Sequence, residues 1–208
     1  MLELFERGGI MMYPLALASV IGLAIIIERF LSLRRKKIII PEIITVIEQF
    51  STHEDVQLAR SICSKYQGPL SNLIKLALNN KDLDRKEIRE LIEDQGRQEI
   101  RQLERGMTVI ETIAVSAPLL GLLGTVLGMI QVFNVIKEQG IGQAAALSGG
   151  ISEALITTVT GLFIGIPALI LYNYFTKKAE NFVLDIEKYS NYLIQKLHSL
   201  NKSFSKSG

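Results

Sequence analysis

Little in this 208-residue chain is equipped for covalent or metal chemistry. A single cysteine, Cys63, excludes an intrachain disulfide framework and a cysteine zinc site. The two histidines, His53 and His198, stand 145 positions apart, so no metal or cofactor site is expected. The phosphate-loop, His-Glu-x-x-His and Gly-x-Ser-x-Gly strings are all missing. Ser199-Leu200-Asn201-Lys202 fits Ser-x-x-Lys only as a stretch of polar tail, so no catalytic residue is assigned and no enzyme is expected. Charge of either sign is not in excess: 23 Lys+Arg against 21 Asp+Glu give +2, which offers no argument for nucleic acid. Strand alternation, internal repeats and low-complexity tracts are absent as well.

What the chain has in quantity is apolar sequence. Apolar residues make up 48%, and the mean hydropathy of +0.28 is high for a soluble protein. Gly8–Ile27 is a run of 20 residues without a charge, and Thr112–Ile136 is one of 25. Gln139–Thr176 is interrupted only by Glu153. About 20 apolar residues of helix cross a hydrocarbon core of about 30 Å. A soluble chain of this size has no core able to enclose three such runs. The expected fold is therefore all-α, an integral membrane protein with three transmembrane helices. The acidic leader Leu2-Glu3-Leu4-Phe5-Glu6-Arg7 does not suit a cleaved signal, so the first run reads as a retained span.

Lys and Arg near the span ends set the orientation. Arg29, Arg34, Arg35, Lys36 and Lys37 follow the first span, Arg101 and Arg105 precede the second, and Lys177 and Lys178 follow the third. The other side has only Arg7 and Lys137 close by. The N-terminus and the 137–147 hairpin are expected outside, the middle and the tail in the cytoplasm. This divides the chain into a first span (1–31), a cytoplasmic helical region (32–110), the second and third spans with a short outer loop (111–176) and a cytoplasmic C-terminal helix (177–208).

In the middle region Pro41 opens a helix to about Phe50, and Ser51-Thr52-His53-Glu54 fits a capping box for a second through Lys65. Pro69 suits the first turn of a third, ending near Asn79-Asn80. Asp84-Arg85-Lys86-Glu87 caps a fourth with no proline before Pro118. If that helix continues into span two, Arg85–Ile136 is 52 residues, on the order of 80 Å. The tail from Lys177 continues span three with Phe182, Ile186, Tyr189 and Leu193 at helical spacing. Two spans are thus expected to extend into the cytoplasm.

Glu153 is the informative ionisable residue. Placing an acid at a membrane helix centre costs about 2.5–3.5 kcal/mol, so such residues face a cavity or a partner. Two readings stand. Ala154–Thr176 alone provides 23 residues, which makes Glu153 the outer end of the span. Alternatively Thr157 and Thr160, four and seven positions on, share its face and form a polar stripe along a hydrated interior. Span two carries small residues at Ala117, Gly121, Gly124 and Gly128, and span three at Gly161 and Gly165, a pattern that lets helices approach closely in lipid. Pro118 and Pro167 each remove a backbone hydrogen bond and are candidate kinks. Glu28-Arg29 reads as an interfacial pair with Arg29 snorkelling.

The stretch Ala117-Pro118-Leu119-Leu120-Gly121-Leu122-Leu123-Gly124-Thr125-Val126-Leu127-Gly128-Met129-Ile130 resembles the second-span motif of the MotA/TolQ/ExbB proton-channel family. Gly150-Ile151-Ser152-Glu153-Ala154-Leu155, with Thr158, Gly161-Leu162, Ile166-Pro167-Ala168 and Tyr172-Asn173, resembles its third-span motif, and Glu28-Arg29 falls at its first-span pair. Three spans with an outside N-terminus look like the ExbB/TolQ branch. The resemblance implies a homopentamer in the bacterial inner membrane, its second and third spans lining a pore. That pore would hold two copies of an ExbD- or TolR-like single-span partner, each carrying an aspartate. Proton flow would then work a TonB- or TolA-like periplasm-spanning protein. Family matching places Thr125, Glu153 and Thr158 on the proton path, whereas helical periodicity groups Thr157 with Glu153. Gliding or another process within the family, and a non-conducting membrane scaffold, are the alternative functions.

Overall fold

The computed structural model describes residues 8–50, 53–140 and 144–204. Among them the helices are α1 (Met12–Ser32), α2 (Arg35–Ile38), α3 (Pro41–Gln49), α4 (His53–Lys65), α5 (Pro69–Asn79), α6 (Arg85–Leu103), α7 (Met107–Gln139) and α8 (Ala144–Phe204). No strand occurs among the described residues, so the architecture is all-helical. α1, α7 and α8 are each long and apolar enough to cross a membrane.

The chain separates into two compact units. One holds the described residues up to Arg29 together with Gly106–Phe175, and the other holds Phe30–Arg105 and the residues from Thr176 onward.

In the first unit α1 starts at Met12, later than the apolar run beginning at Gly8. Gly9 has φ +64°, and the Met12 N–H donates to Gly9 O at 3.2 Å, so a turn precedes the helix. Pro14 lies in the first helical turn, where no N–H is missed. Met12, Leu15 and Ala117 form a buried cluster, with Leu120 and Ile164 packed on it. Leu17, Val20, Val126, Phe133, Val159 and Phe163 stay exposed, an apolar outer surface of the kind that lipid or a neighbouring subunit covers.

The expected 52-residue helix is not formed. α6 ends at Leu103 and α7 starts at Met107, because Gly106 adopts φ +77°, a left-handed conformation that only glycine reaches without a steric penalty. A Cβ there would also come within 2.9 Å of Ile25 Cγ2. Of the two spans expected to extend, only α8 runs on past its apolar part as one unbroken helix, of 61 residues. The connection between α7 and α8 is shorter than the expected 137–147 hairpin, since α7 runs to Gln139 and α8 begins at Ala144.

In the second unit α5 and α3 carry proline in their first turns, and α6 carries the capping box of Asp84 and Glu87. The proposed box at Ser51-Thr52 lies outside the described residues. Ile43, Ile47, Phe50, Leu70, Leu73, Ile74 and Leu78 are buried, as are Phe182, Ile186 and Leu193 of α8, while Tyr189 is half-buried. Polar ties complete the packing. Asn72 Nδ2 donates to Glu99 Oε1 at 2.8 Å, Arg60 Nη2 to Leu78 O at 3.0 Å, and Lys196 Nζ to Glu48 O at 2.6 Å.

Cys63 is buried in this unit. Burial pushes its thiol up to about 11, against a smaller lowering by Lys75 and the Ser71 hydroxyl. At neutral pH it should therefore hold about a hundredfold less thiolate than an ordinary cysteine. Maleimide labelling of the folded protein is expected to be slow, and to become fast in denaturant. The raised value stabilises the fold fully below the unfolded value near 9, and this contribution fades as pH climbs from 9 towards 11. Labelling of the folded chain at the denatured rate would contradict this burial.

Candidate functional site

The site is built on an antiparallel pair, α7 against α8, within one chain. Small residues let the two backbones meet. A Cβ on Gly161 would lie 2.5 Å from Ala117 O and 3.1 Å from Gly121 Cα, and one on Gly121 would lie 2.9 Å from Thr157 O. Gly128 abuts Ala154 and Gly150 O, and Gly124 abuts the side chain of Thr157. Gly165 receives the Pro118 ring and borders Ala114 O, the carbonyl that Pro118 cannot bond. All five glycines expected to pack helices thus lie along this seam. Pro118 and Pro167 sit inside α7 and α8, both of which continue through them.

Glu153 is half-buried and opens into a cleft of about 200 Å³. Gly8, Ile10 and Met11 line it from the first span's leading turn, Gly124, Leu127, Ile130 and Gln131 from α7, and Thr157 from α8. Gly9 is close enough that a Cβ would overlap the Glu153 carboxylate. Glu153 therefore lies level with the start of α1. Yet α7 continues eleven residues (129–139) past Gly128, which packs beside Ala154, or about 16 Å further along the pair. Measured against α1 the carboxylate is at the end of its span; measured against the α7–α8 pair it is well below the tip.

The hydroxyls divide between the two flanks of the pair. Thr157, 1% exposed, shares the cleft with Glu153, and its Oγ1 lies 2.8 Å from Ala154 O and 3.2 Å from Glu153 O. Thr160 bonds within its own helix, to Ile156 O at 2.8 Å. Thr158, five positions after Glu153, is rotated by about 140° from it. Its Oγ1 donates across the pair to Gly121 O at 3.1 Å. Thr125 is rotated about 160° from the cleft residue Leu127, and its Oγ1 donates to Leu122 O at 2.6 Å. The structure thus brings Glu153 and Thr157 together and leaves Thr125 and Thr158 outside that cleft. Helical spacing carried the signal for Thr157; nothing in the local sequence signalled Gly9 or Gln131, which come from other parts of the chain.

Near the other end of α1, Arg29 Nη2 donates to Glu28 Oε1 at 2.6 Å. Arg29 is only 2% exposed, so it folds inward instead of snorkelling, as a guanidinium can when a carboxylate meets it.

Three apolar spans, with a carboxylate held in a cleft among them and glycines closing the α7–α8 seam, define a helical membrane protein. Residues 65–188 match the MotA/TolQ/ExbB proton channel family, and the chain belongs to that family. It is 31% identical over 187 residues to an ExbB homolog of biopolymer transport from Methanothermobacter thermautotrophicus, covering 89% of this chain and 66% of the relative, just under two thirds of its length. It is 32% identical over 176 residues to an ExbB-like biopolymer transport protein of Synechocystis sp., covering 83% and 69%. With the biopolymer transport protein ExbB of Neisseria gonorrhoeae it shares 30% identity over 154 residues, 67% of this chain and 68% of the relative.

Proposed function

We infer that the chain is the ring-forming subunit of a motor in the inner membrane that uses the proton motive force. The observation that carries this reading is Glu153, the one acid between Gln139 and Thr176, held beside Thr157 in a cleft among apolar side chains. Five copies would surround a pore with α7 and α8, and two ExbD- or TolR-like helices would stand inside it. The motor would energise a TonB- or TolA-like protein across the periplasm. A closed ring turns both flanks of each α7–α8 pair into its wall. The Glu153 cleft of one copy and the Thr125 and Thr158 hydroxyls of another can then border one path. One charge moved through 100 mV supplies about 2.3 kcal/mol, enough for a few protons to shift interface contacts.

Native mass spectrometry of the chain purified with its partner tests the assembly. Five copies with two partner chains are expected, and a stable monomer or dimer would contradict the pore. Orientation is tested separately in a Cys63→Ser background. A cysteine at Lys137 should be labelled by an impermeant reagent on intact cells and one at Lys65 should not; the reverse would overturn the topology.

A second reading has its own support. The contact of Gly9 with Glu153 favours a carboxylate that only clamps the first span's leading turn to α8. On that reading the ring is a scaffold.

A further inference from the structure

The second unit contains a cavity of about 300 Å³ that nothing above employs. It is flanked by α6 and the 183–194 stretch of α8, with Leu73 of α5. Two small residues open it. Gly96 lies in the interior of α6, where glycine is a poor helix former, and a Cβ there would meet nothing within 4 Å. No neighbour demands glycine at that position. On α8 stands Ser190, 2% exposed, its hydroxyl buried and without a hydrogen-bond partner. A buried hydroxyl loses its hydration and here gains no bond in return, so such groups are rare in folded proteins. One water would satisfy it but would fill only a small part of the space.

The lining is two-sided. Ile92, Ile100, Val183, Ile186 and Ile194 supply an apolar wall. Glu99, 3% exposed, supplies a buried carboxylate whose Oε1 accepts from Asn72 Nδ2 at 2.8 Å and Gln95 Nε2 at 3.2 Å. A carboxylate has acceptor capacity beyond two bonds. Arg89 Nε is paired with Glu93 Oε1 at 2.8 Å, which leaves one further cation in the lining, Arg97, against two acids, Glu99 and Glu187. The balance at the cavity is acidic, so it favours a cationic donor and disfavours an anion.

We propose that this cavity is a binding site for a small primary amine with an apolar body about the size of one aromatic ring. The body lies against the isoleucines, the ammonium donates to Glu99, and Ser190 accepts from the same group. The site is independent of the pore and of Glu153.

Hydrogen exchange read by mass spectrometry on the full chain in detergent, with 2-phenylethylamine as probe, tests it. Millimolar amine should slow exchange in segments 89–100 and 183–194. The carboxylate analogue 3-phenylpropanoate, similar in size and opposite in charge, should need at least about tenfold more, as should the amine on Glu99→Gln. Gly96→Leu fills the space without a backbone clash; it should abolish the protection and raise the thermal midpoint. Absence of protection by the amine, equal protection by the carboxylate, or undiminished protection in Gly96→Leu would overturn the proposal. So would loss of the oligomer in Gly96→Leu, which would show that a neighbouring copy occupies the space.

Discussion

Glu153→Gln is expected to lower motive-force-dependent activity to below about 1% of wild type, since a positioned proton-transfer group contributes about 10²–10⁴-fold. Glutamine keeps the size and hydrogen bonding of glutamate and removes the titratable proton. The complex with the single-span partner should purify unchanged, because the α7–α8 seam does not depend on the carboxylate. Glu153→Asp retains the acid on a shorter arm and should keep part of the activity. The clamp reading expects a different pair of results: partner retention and activity falling together in Glu153→Gln. If Glu153 is solvated at the outer end of its span, both substitutions should be nearly silent. Measuring partner retention alongside activity in cells distinguishes the three.

Gly161→Leu should be the most damaging of the seam substitutions. Its side chain would enter space held by Ala117 O and Gly121 Cα, which are backbone atoms and cannot rotate away. Overpacking of a core costs about 1–3 kcal/mol when side chains can yield, and more when they cannot. The α7–α8 pair would have to separate, so the assembled ring should be lost and the chain become protease-sensitive. Gly124→Leu meets the Thr157 side chain first and should be milder. Gly149→Ala, with nothing within 4 Å of its Cβ, should be silent and serves as the control in the same helix. Ring assembly by Gly161→Leu at wild-type yield would show that the seam is not where the helices meet.

Much of this arrangement is readable along the chain, where the determinants are local. The prolines at 41 and 69 and the Asp84–Glu87 box mark helix starts because capping involves residues within one turn. Glu153 and Thr157 share a cleft because four residues make about one turn. The break at Gly106 was hidden, because a glycine among helix-forming residues is tolerated or terminating according to its φ, and its neighbour Ile25 lies in another span. Gly9 and Gln131 beside Glu153, like the void between Gly96 and Ser190, depend on which helices face each other. No periodicity within one helix encodes that. The resemblance picked out Thr158 and Thr125, and in the single chain these lie away from the Glu153 cleft. On the proposed ring, a role shared with Glu153 would therefore need more than one copy.

Proton flux across liposomes containing the chain with its partner bears most directly on the central claim. Under an imposed pH gradient and membrane potential, the wild-type complex should acidify the lumen. An intact, equally loaded Glu153→Gln complex should leave it at the rate of empty liposomes. Flux through Glu153→Gln equal to that of the wild type would contradict the account and remove Glu153 from the proton path.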